Sequence, residues 1–418
     1  MSLRQKEMLR APSEIVAEAR SYGTLTPTPS VTGAKRLKIA YVHDGLYPFF
    51  KGGAERRFHQ TAHSLAERND VTYISWQYWQ GPASVTQSNV RYVGVGPAPD
   101  FYGADGKRTV REGLAFARGV VQVLRRERFD VVDCCATPIL ALYVSWFLSR
   151  MQREPLIATW HEYWGDYWTS YLPRRSLVAR LAKTLESRAA PLADSIVAVS
   201  EFTADKLRAQ APETPIRVIE NGVSLDDIDS APAAPDAPDV IFAGRLIDDK
   251  KVDWLLQAVK QVSESSPGLT CGIVGEGPER FRLEHMARAL EIHDRVRFFG
   301  FVDESRLYGL MKGAQIFVLP SIREGFGMSV VEAQACGTVP VVVEAPYNAA
   351  ATLIQHEYDG LVCSANATSL AAAIQRLTQD ATLRSELSAN ARRSAQARDW
   401  SRISEQLEEL YTSVVHSR

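Results

Sequence analysis

The sequence predicts an α/β protein built from two doubly wound parallel sheets in succession. Short apolar runs alternate with longer amphipathic stretches through most of the chain, the pattern of parallel strands joined by helices. The alternation is broken once, by the Pro/Ala-rich residues 230–238, and then starts again. The length, 418 residues, allows two sizeable cores. The expected division is an extension and linker at 1–35, a first sheet domain at 36–230, a second at 231–398, and a terminal helix at 399–418 that packs back on the first domain.

In chain order, residues 1–22 suit a short amphipathic helix and 24–30 a Pro/Thr linker. Strands are expected at 37–42, 71–75, 131–134, 156–159, 196–199 and 216–219, with helices at 53–67, 110–126 and 138–149 between them. The first strand leads into Lys51-Gly52-Gly53-Ala54-Glu55-Arg56 and then a helix. Strand, glycine pair, helix is a geometry in which backbone amides approach a phosphate closely, although two glycines also make an ordinary turn. The strand at 156–159 runs into Trp160-His161-Glu162-Tyr163-Trp164, with Asp166, Tyr167, Trp168 and Tyr171 close behind. Sugar rings stack on such faces while carboxylates take their hydroxyls, so a carbohydrate acceptor suits this loop; packing of the rings against a neighbouring loop is the competing reading. The His161-Glu162 pair is not a zinc-protease motif, because Gly165 stands where the second His belongs. Trp76, Tyr78 and Trp79 form a second aromatic patch, and Arg174, Arg175, Arg180, Lys183 and Arg188 line the helix after the aromatic loop.

The second domain repeats the scheme, with strands at 240–243, 269–274, 296–299, 315–319 and 339–343 and a long amphipathic helix at 400–415. Arg245 and Lys250 flank one strand end and can converge on one anion. The organising stretch is Pro320 to Glu332: an apolar strand, then Glu324-Gly325-Phe326-Gly327, then a helix from Met328. Open α/β sheets bind ligands at such carboxyl edges, and helix-start amides point donors at the occupant. Glu332 lies about a turn into that helix, on the face that looks back at the same ligand. Two carboxylates and a row of amides suit a ligand with vicinal hydroxyls and an anionic part, which a nucleotide sugar has.

The formal net charge of −1 gives no reason to expect nucleic acid. Residues 36–188 nevertheless carry 21 Lys and Arg against 14 Asp and Glu, so the first half is basic and the rest acidic. A basic first half suits anionic acceptors or peripheral contact with a lipid surface. The five cysteines are odd in number, lack a CxxC pair and sit mostly in apolar runs, which predicts a reduced, cytoplasmic protein. No signal peptide opens the chain, and the longest strongly apolar run, 139–148, is too short to span a bilayer.

The ordered set Gly52-Gly53-Ala54-Glu55-Arg56, Val199-Ser200-Glu201, Asn221-Gly222-Val223, Gly244-Arg245-Leu246 with Lys250, Val274 through Pro278, and Glu324-Gly325-Phe326-Gly327 through Glu332 resembles retaining glycosyltransferases of family 4. That family has the GT-B fold, two Rossmann-like domains facing a central cleft. The resemblance implies that Arg245 and Lys250 hold the donor diphosphate, that Glu324 takes donor-sugar hydroxyls and Glu332 the ribose hydroxyls. Gly325 and the amides of Phe326, Gly327, Met328 and Ser329 would meet sugar and phosphate, and Gly300 and Val302 would frame the base. Gly52 and Gly53 would approach the diphosphate from the first domain, with His161 near the reacting carbon. The implied reaction moves a sugar from a UDP- or GDP-sugar to a hydroxyl of a glycan, a lipid-linked sugar or a glycosylated metabolite, with retention and without metal or cofactor. Two positions depart from the family pattern: Lys251 stands in place of a usual Gly, and residues 345–350 replace a frequent glycine pair.

Three rivals remain at the sequence level. Another GT-B activity, an epimerase or a phosphorylase, shares the fold. A Rossmann oxidoreductase would want GxGxxG, but after Gly275-Glu276-Gly277 position 280 is Arg. A non-catalytic nucleotide-sugar binder would not need Arg245, Lys250, Glu324 and Glu332 together. Asp227-Ile228-Asp229 formally matches a metal-binding Asp-x-Asp but lies in an acidic linker region, so no metal site is expected.

Overall fold

A computed structural model of the protein describes residues 36–99, 110–172 and 177–417. The expected helix at 1–22, the linker at 24–30, and Arg174 and Arg175 lie outside the described residues. The chain divides into two compact units, Met1–Asn221 with Trp400–Arg418, and Gly222–Asp399.

The first unit holds β1 (Lys38–Val42), β2 (Asp70–Gln77), β3 (Ser84–Gln87), β4 (Val90–Pro97), β5 (Val131–Cys135), β6 (Leu156–Trp160), β7 (Ser195–Ala198) and β8 (Ile216–Val218). They form one sheet in the order β3-β4-β2-β1-β5-β6-β7-β8, parallel except for the β3–β4 hairpin. β5, β6 and β7 are buried along their whole length, so they read as continuous apolar runs rather than as alternating ones. The β3–β4 hairpin has no counterpart in the sequence reading. Its turn is Ser88-Asn89, both at positive φ, the two-residue geometry that matches strand twist. The terminal helix Trp400–His416 buries Ile403, Leu407, Leu410 and Tyr411 and packs against the helix Gly53–Ala66. Tyr411 donates to Asp133 at 2.5 Å and its oxygen lies 3.1 Å from the Tyr41 hydroxyl, while Thr159 donates to the other Asp133 oxygen at 2.7 Å. This one carboxylate therefore ties the terminal helix to β1, β5 and β6.

The second unit holds β9 (Val240–Ala243), β10 (Cys271–Val274), β11 (Val296–Gly300), β12 (Ile316–Leu319), β13 (Arg323–Glu324), β14 (Val339–Glu344), β15 (Tyr347–Asn348) and β16 (Leu361–Ser364). The main sheet runs β11-β10-β9-β12-β14-β16, all parallel, and β13 pairs with β15. Side-chain caps start its helices where the sequence offers them: Asp303 accepts from Arg306 N at 2.7 Å and Asn366 from Ser369 N at 2.8 Å.

The domain boundary differs from the expected one. The units part after Asn221, and the Pro/Ala stretch belongs to the second unit. It is fastened there along the helix Glu304–Gly313. Ala234 N donates to Gly309 O at 2.8 Å, and a Cβ on Gly313 would sit 2.4 Å from Ala237 Cβ. Asp236 takes ion pairs from Arg297 and Arg306 at 2.8 and 2.7 Å. Composition alone read this stretch as a linker, but the two helix glycines make room for it to lie down. The second unit's two ends also clasp each other, since Val223 N donates to Arg398 O at 2.8 Å and Val223 bridges Asp399.

Candidate functional site

Because the strands of the second unit are parallel, the loops after β9, β10, β11 and β12 all leave the same edge of the sheet. Their backbones are laced together. Gly244 N donates to Val274 O (3.0 Å), Leu246 N to Glu276 O (2.9 Å) and Gly275 N to Gly300 O (2.8 Å). The approach leaves no room for side chains: a Cβ on Gly275 would lie 1.9 Å from Gly244 O, and one on Gly277 2.2 Å from Leu246 O.

The turn Asp248–Lys250 is clipped to the segment 322–324 in three successive places. Ile322 N donates to Asp249 O at 2.9 Å, Arg323 Nη1 pairs with the Asp249 carboxylate at 3.3 Å, and Lys250 Nζ pairs with Glu324 Oε1. The Lys250 and Glu324 side chains are only 17 and 12 % exposed, so the pair is well shielded. Lys251 sits at φ +45°, in the left-handed region that explains why the resemblance expects Gly there, and its Nζ returns to Asp248 at 2.8 Å. Arg245 is exposed, and its guanidinium makes no hydrogen bond or ion pair among the described residues.

Past Glu324, Gly327 turns the chain at φ +110° into the helix Met328–Cys336, whose start carries no side-chain cap. Val330 N donates back to Gly327 O at 2.9 Å, and no side-chain cap takes the amides of Met328 and Ser329 before it. Glu332 lies in this helix and is 4 % exposed, so it is not a surface charge. Phe326 is buried and Gly325, Met328 and Ser329 are half-buried at the same edge, as is Val302 after β11; Gly300 is at φ +70°. The segment 345–350 packs against this helix start: a Cβ on Gly327 would lie 2.7 Å from Ala350 Cβ, and Ala349 and Ala350 are fully buried. Asn348 fixes the segment by donating to Val343 O at 2.7 Å and accepting from Ala350 N at 3.0 Å. Asp229 of the formal Asp-x-Asp is paired with Arg392 at 2.6 Å.

In the first unit, Gly52 is the N-cap of the helix Gly53–Ala66. The Glu55 carboxylate folds back over it, 2.3 Å from where a Gly52 Cβ would be. His161 follows β6; its ring lies 6.0 Å from Phe58, and His43 lies 5.1 Å from the same ring. Burial, with Arg57 and His43 as further causes, pushes the His161 pKa well below its ordinary value. Its imidazole is therefore neutral at pH 7, and Nε2 has no hydrogen-bond partner among the described residues. Arg57 is buried beside it and donates to Glu220 O at 2.7 Å and Asn221 Oδ1 at 3.1 Å.

The aromatic loop is organised by a residue the sequence reading passed over. Glu186 accepts from Trp164 N (2.9 Å), Gly165 N (2.8 Å) and Trp168 Nε1 (3.0 Å), and burial raises its pKa. A single acid in an otherwise basic helix was the available signal. Trp160 and Tyr163 are core residues, while Trp164 packs on Trp168 and Tyr171 at 4.5 and 5.0 Å. The second patch is core as well: Trp76, Tyr78 and Trp79 are buried with their polar tips bonded to Glu112, Asp44 O and Pro82 O.

Residues 51–227 match the family model described as Glycosyltransferase Family 4, and residues 225–394 the one described as Glycosyl transferases group 1. A human phosphatidylinositol N-acetylglucosaminyltransferase subunit is 26 % identical over 72 % of this chain, and the match spans 60 % of that protein. A D-inositol 3-phosphate glycosyltransferase of Streptomyces bingchenggensis is 27 % identical over 78 % of this chain and 76 % of its own. The crystal structure of Anabaena HepE in complex with UDP aligns with a TM-score of 0.70 at 20 % identity, covering 90 % of this chain and all of that one. With its two halves matched in this order and both sheets accounted for, the chain belongs with the group 1 and family 4 glycosyltransferases of GT-B fold.

Proposed function

We propose that this chain is a retaining glycosyltransferase that moves a sugar from a UDP- or GDP-sugar to a hydroxyl group, on a glycan, a lipid-linked sugar or a glycosylated metabolite, without metal or cofactor. The observation that carries the reading is the shielded Lys250–Glu324 pair beside an uncapped helix start, with the unpartnered Arg245 side chain on the same strand-end loop. Breaking a sugar–diphosphate bond leaves negative charge on the phosphates and positive character on the sugar. Fixed cations and amides stabilise that charge in place. Arg245 and Lys250 take the diphosphate, and Glu324 holds Lys250 while it accepts from donor-sugar hydroxyls. Glu332 takes the ribose hydroxyls, and Gly300 and Val302 frame the base. Gly52 and Gly53 supply amides to the diphosphate, and neutral His161 hydrogen-bonds near the reacting carbon. The acceptor attacks on the face from which the diphosphate leaves, and the departing phosphate takes its proton. The names of the two relatives support a cyclitol-bearing acceptor, and HepE with UDP supports a uridine donor.

The test is nucleotide release from UDP- and GDP-sugars with and without inositol phosphates or phosphatidylinositol, in the presence of a chelator. Acceptor-dependent release is expected. Lys250→Ala should lower kcat/KM by about 10²- to 10³-fold while the fold survives. Near-parental turnover of that variant would remove the proposed role of Lys250, and loss of activity to the chelator would remove the metal-free mechanism.

A further inference from the structure

The helices Val110–Leu124, Ile139–Gln152 and Leu177–Ala189 join β4 to β5, β5 to β6 and β6 to β7. All three crossovers step the same way along the sheet, so right-handed connection puts them on one face. They pack side by side, and Tyr143 of the second donates to Leu185 O of the third at 2.9 Å.

The outer surface of this layer has an unusual composition. Phe147, Met151 and Leu177 are 57, 67 and 79 % exposed, and Leu114, Val178 and Leu181 are more than half exposed as well. Large apolar side chains clustered in this way are not the scatter of an ordinary surface. Among the described residues, the exposed charges that the three helices themselves carry are of one sign. Arg111, Arg118, Arg150, Arg180, Lys183 and Arg188 are exposed. The three helices contain two acids, Glu112 and Glu186, and both are buried against indole and amide donors of the first unit. Of these cations, Lys183 pairs with Asp166 of the preceding loop. No helix among the described residues is long and apolar enough to cross a membrane.

We propose that this helical layer is a docking face for an anionic lipid surface, with the apolar side chains entering the headgroup region and the arginines pairing with lipid phosphates. Charge complementarity commits the face to this occupant. An apolar patch alone fits any hydrophobic partner, but one whose exposed helix charges, among the described residues, are all cationic matches a negatively charged leaflet, where each basic residue strengthens binding about fivefold. The face uses none of the residues assigned to donor binding, so it stands apart from the proposed reaction.

The experiment is co-sedimentation of the full chain with vesicles of phosphatidylcholine containing about one-third phosphatidylglycerol, against pure phosphatidylcholine vesicles. Binding to the anionic vesicles, weak binding to the neutral ones, and loss at 1 M salt, where screening acts within about 3 Å, are expected. Phe147→Ser with Leu181→Ser should abolish sedimentation. Arg118→Gln and Arg150→Gln should each weaken it about fivefold. All are exposed positions, and unchanged melting temperatures check that the variants fold. No binding to anionic vesicles, or equal binding by the Phe147/Leu181 variant, would overturn the proposal. So would a vesicle-free dimer that the same variants dissociate, since a second copy would then cover the face.

Discussion

Lys250 and Glu324 are coupled side chains, and their energetics should show it. Removing either leaves a shielded charge without its partner, which costs more than an exposed pair would. Lys250→Ala and Glu324→Ala should therefore combine non-additively in nucleotide affinity, the double variant losing less than the sum of the singles by at least ~1 kcal/mol, read by calorimetry. Additive losses would mean that the two contact the ligand independently. Lys251 presents a different single-residue question. Its backbone is left-handed, a conformation that costs a non-glycine residue about 1 kcal/mol. Lys251→Gly relieves this but gives the unfolded chain more freedom, so a net gain of roughly 0.5 kcal/mol in denaturant unfolding is expected. A net loss would locate the value of Lys251 in its pair with Asp248 instead. The sequence made Arg245, Lys250, Glu324 and Glu332 legible through residue type and order. It could not show Asp249 and Arg323 clipping the two loops together, because that pairing depends on how two distant segments lie across each other.

Among the elements, buried parallel strands were the most legible, because burial on both faces writes itself as an apolar run; β5 and β12 are clear cases. The edge hairpin was not, since β3 is polar and half-exposed and β4 is rich in glycine. The terminal helix was legible from its periodicity, but its anchor was not. Asp133 reads as one polar residue in an apolar strand and proves to be the acceptor for two elements. Burial pushes its carboxyl up from 3.8 to about 6. A carboxyl that keeps its proton longer in the fold than in the unfolded chain adds stability below pH 3.8 and loses it as the pH rises through 6, a contribution of about 3 kcal/mol. Asp133→Asn removes the titration. Its stability relative to the parent should rise by about 2–3 kcal/mol between pH 4 and 7, followed by denaturant midpoints. A difference independent of pH would exclude Asp133 as the group responsible. Glu186→Ala should cost about 2–3 kcal/mol, because three donors of the aromatic loop lose their acceptor at once.

For the molecule as a whole, acid sensitivity should concentrate in the first unit. His59, His63 and His161 are held neutral there by burial, His63 with a pKa near 4. Unfolding lets them bind protons, so their stabilisation is present above pH 6.5 and lost as the pH falls toward 4; three such groups outweigh the opposite trend of Asp133. Seven of the eight tryptophans belong to this unit, the exception being Trp254, so intrinsic fluorescence reports on it. Its unfolding midpoint should be clearly lower at pH 5 than at pH 7, and equal midpoints would contradict the assignment. The two-sheet plan was legible in the repeat of strand and helix patterns, whereas the boundary was not, because proline and alanine mark a segment that the second unit straps to one of its own helices.

That second unit starts at Gly222 and finishes at Asp399, and the contact between Val223 and Arg398 fastens its beginning to its finish. In effect it is a cassette spliced into the other unit's sequence, arriving with its own buckle already closed. Exchanging this unit between relatives then needs only two seams, after Asn221 and before Trp400, with every residue of the Lys250–Glu324 clip travelling in the transplanted piece.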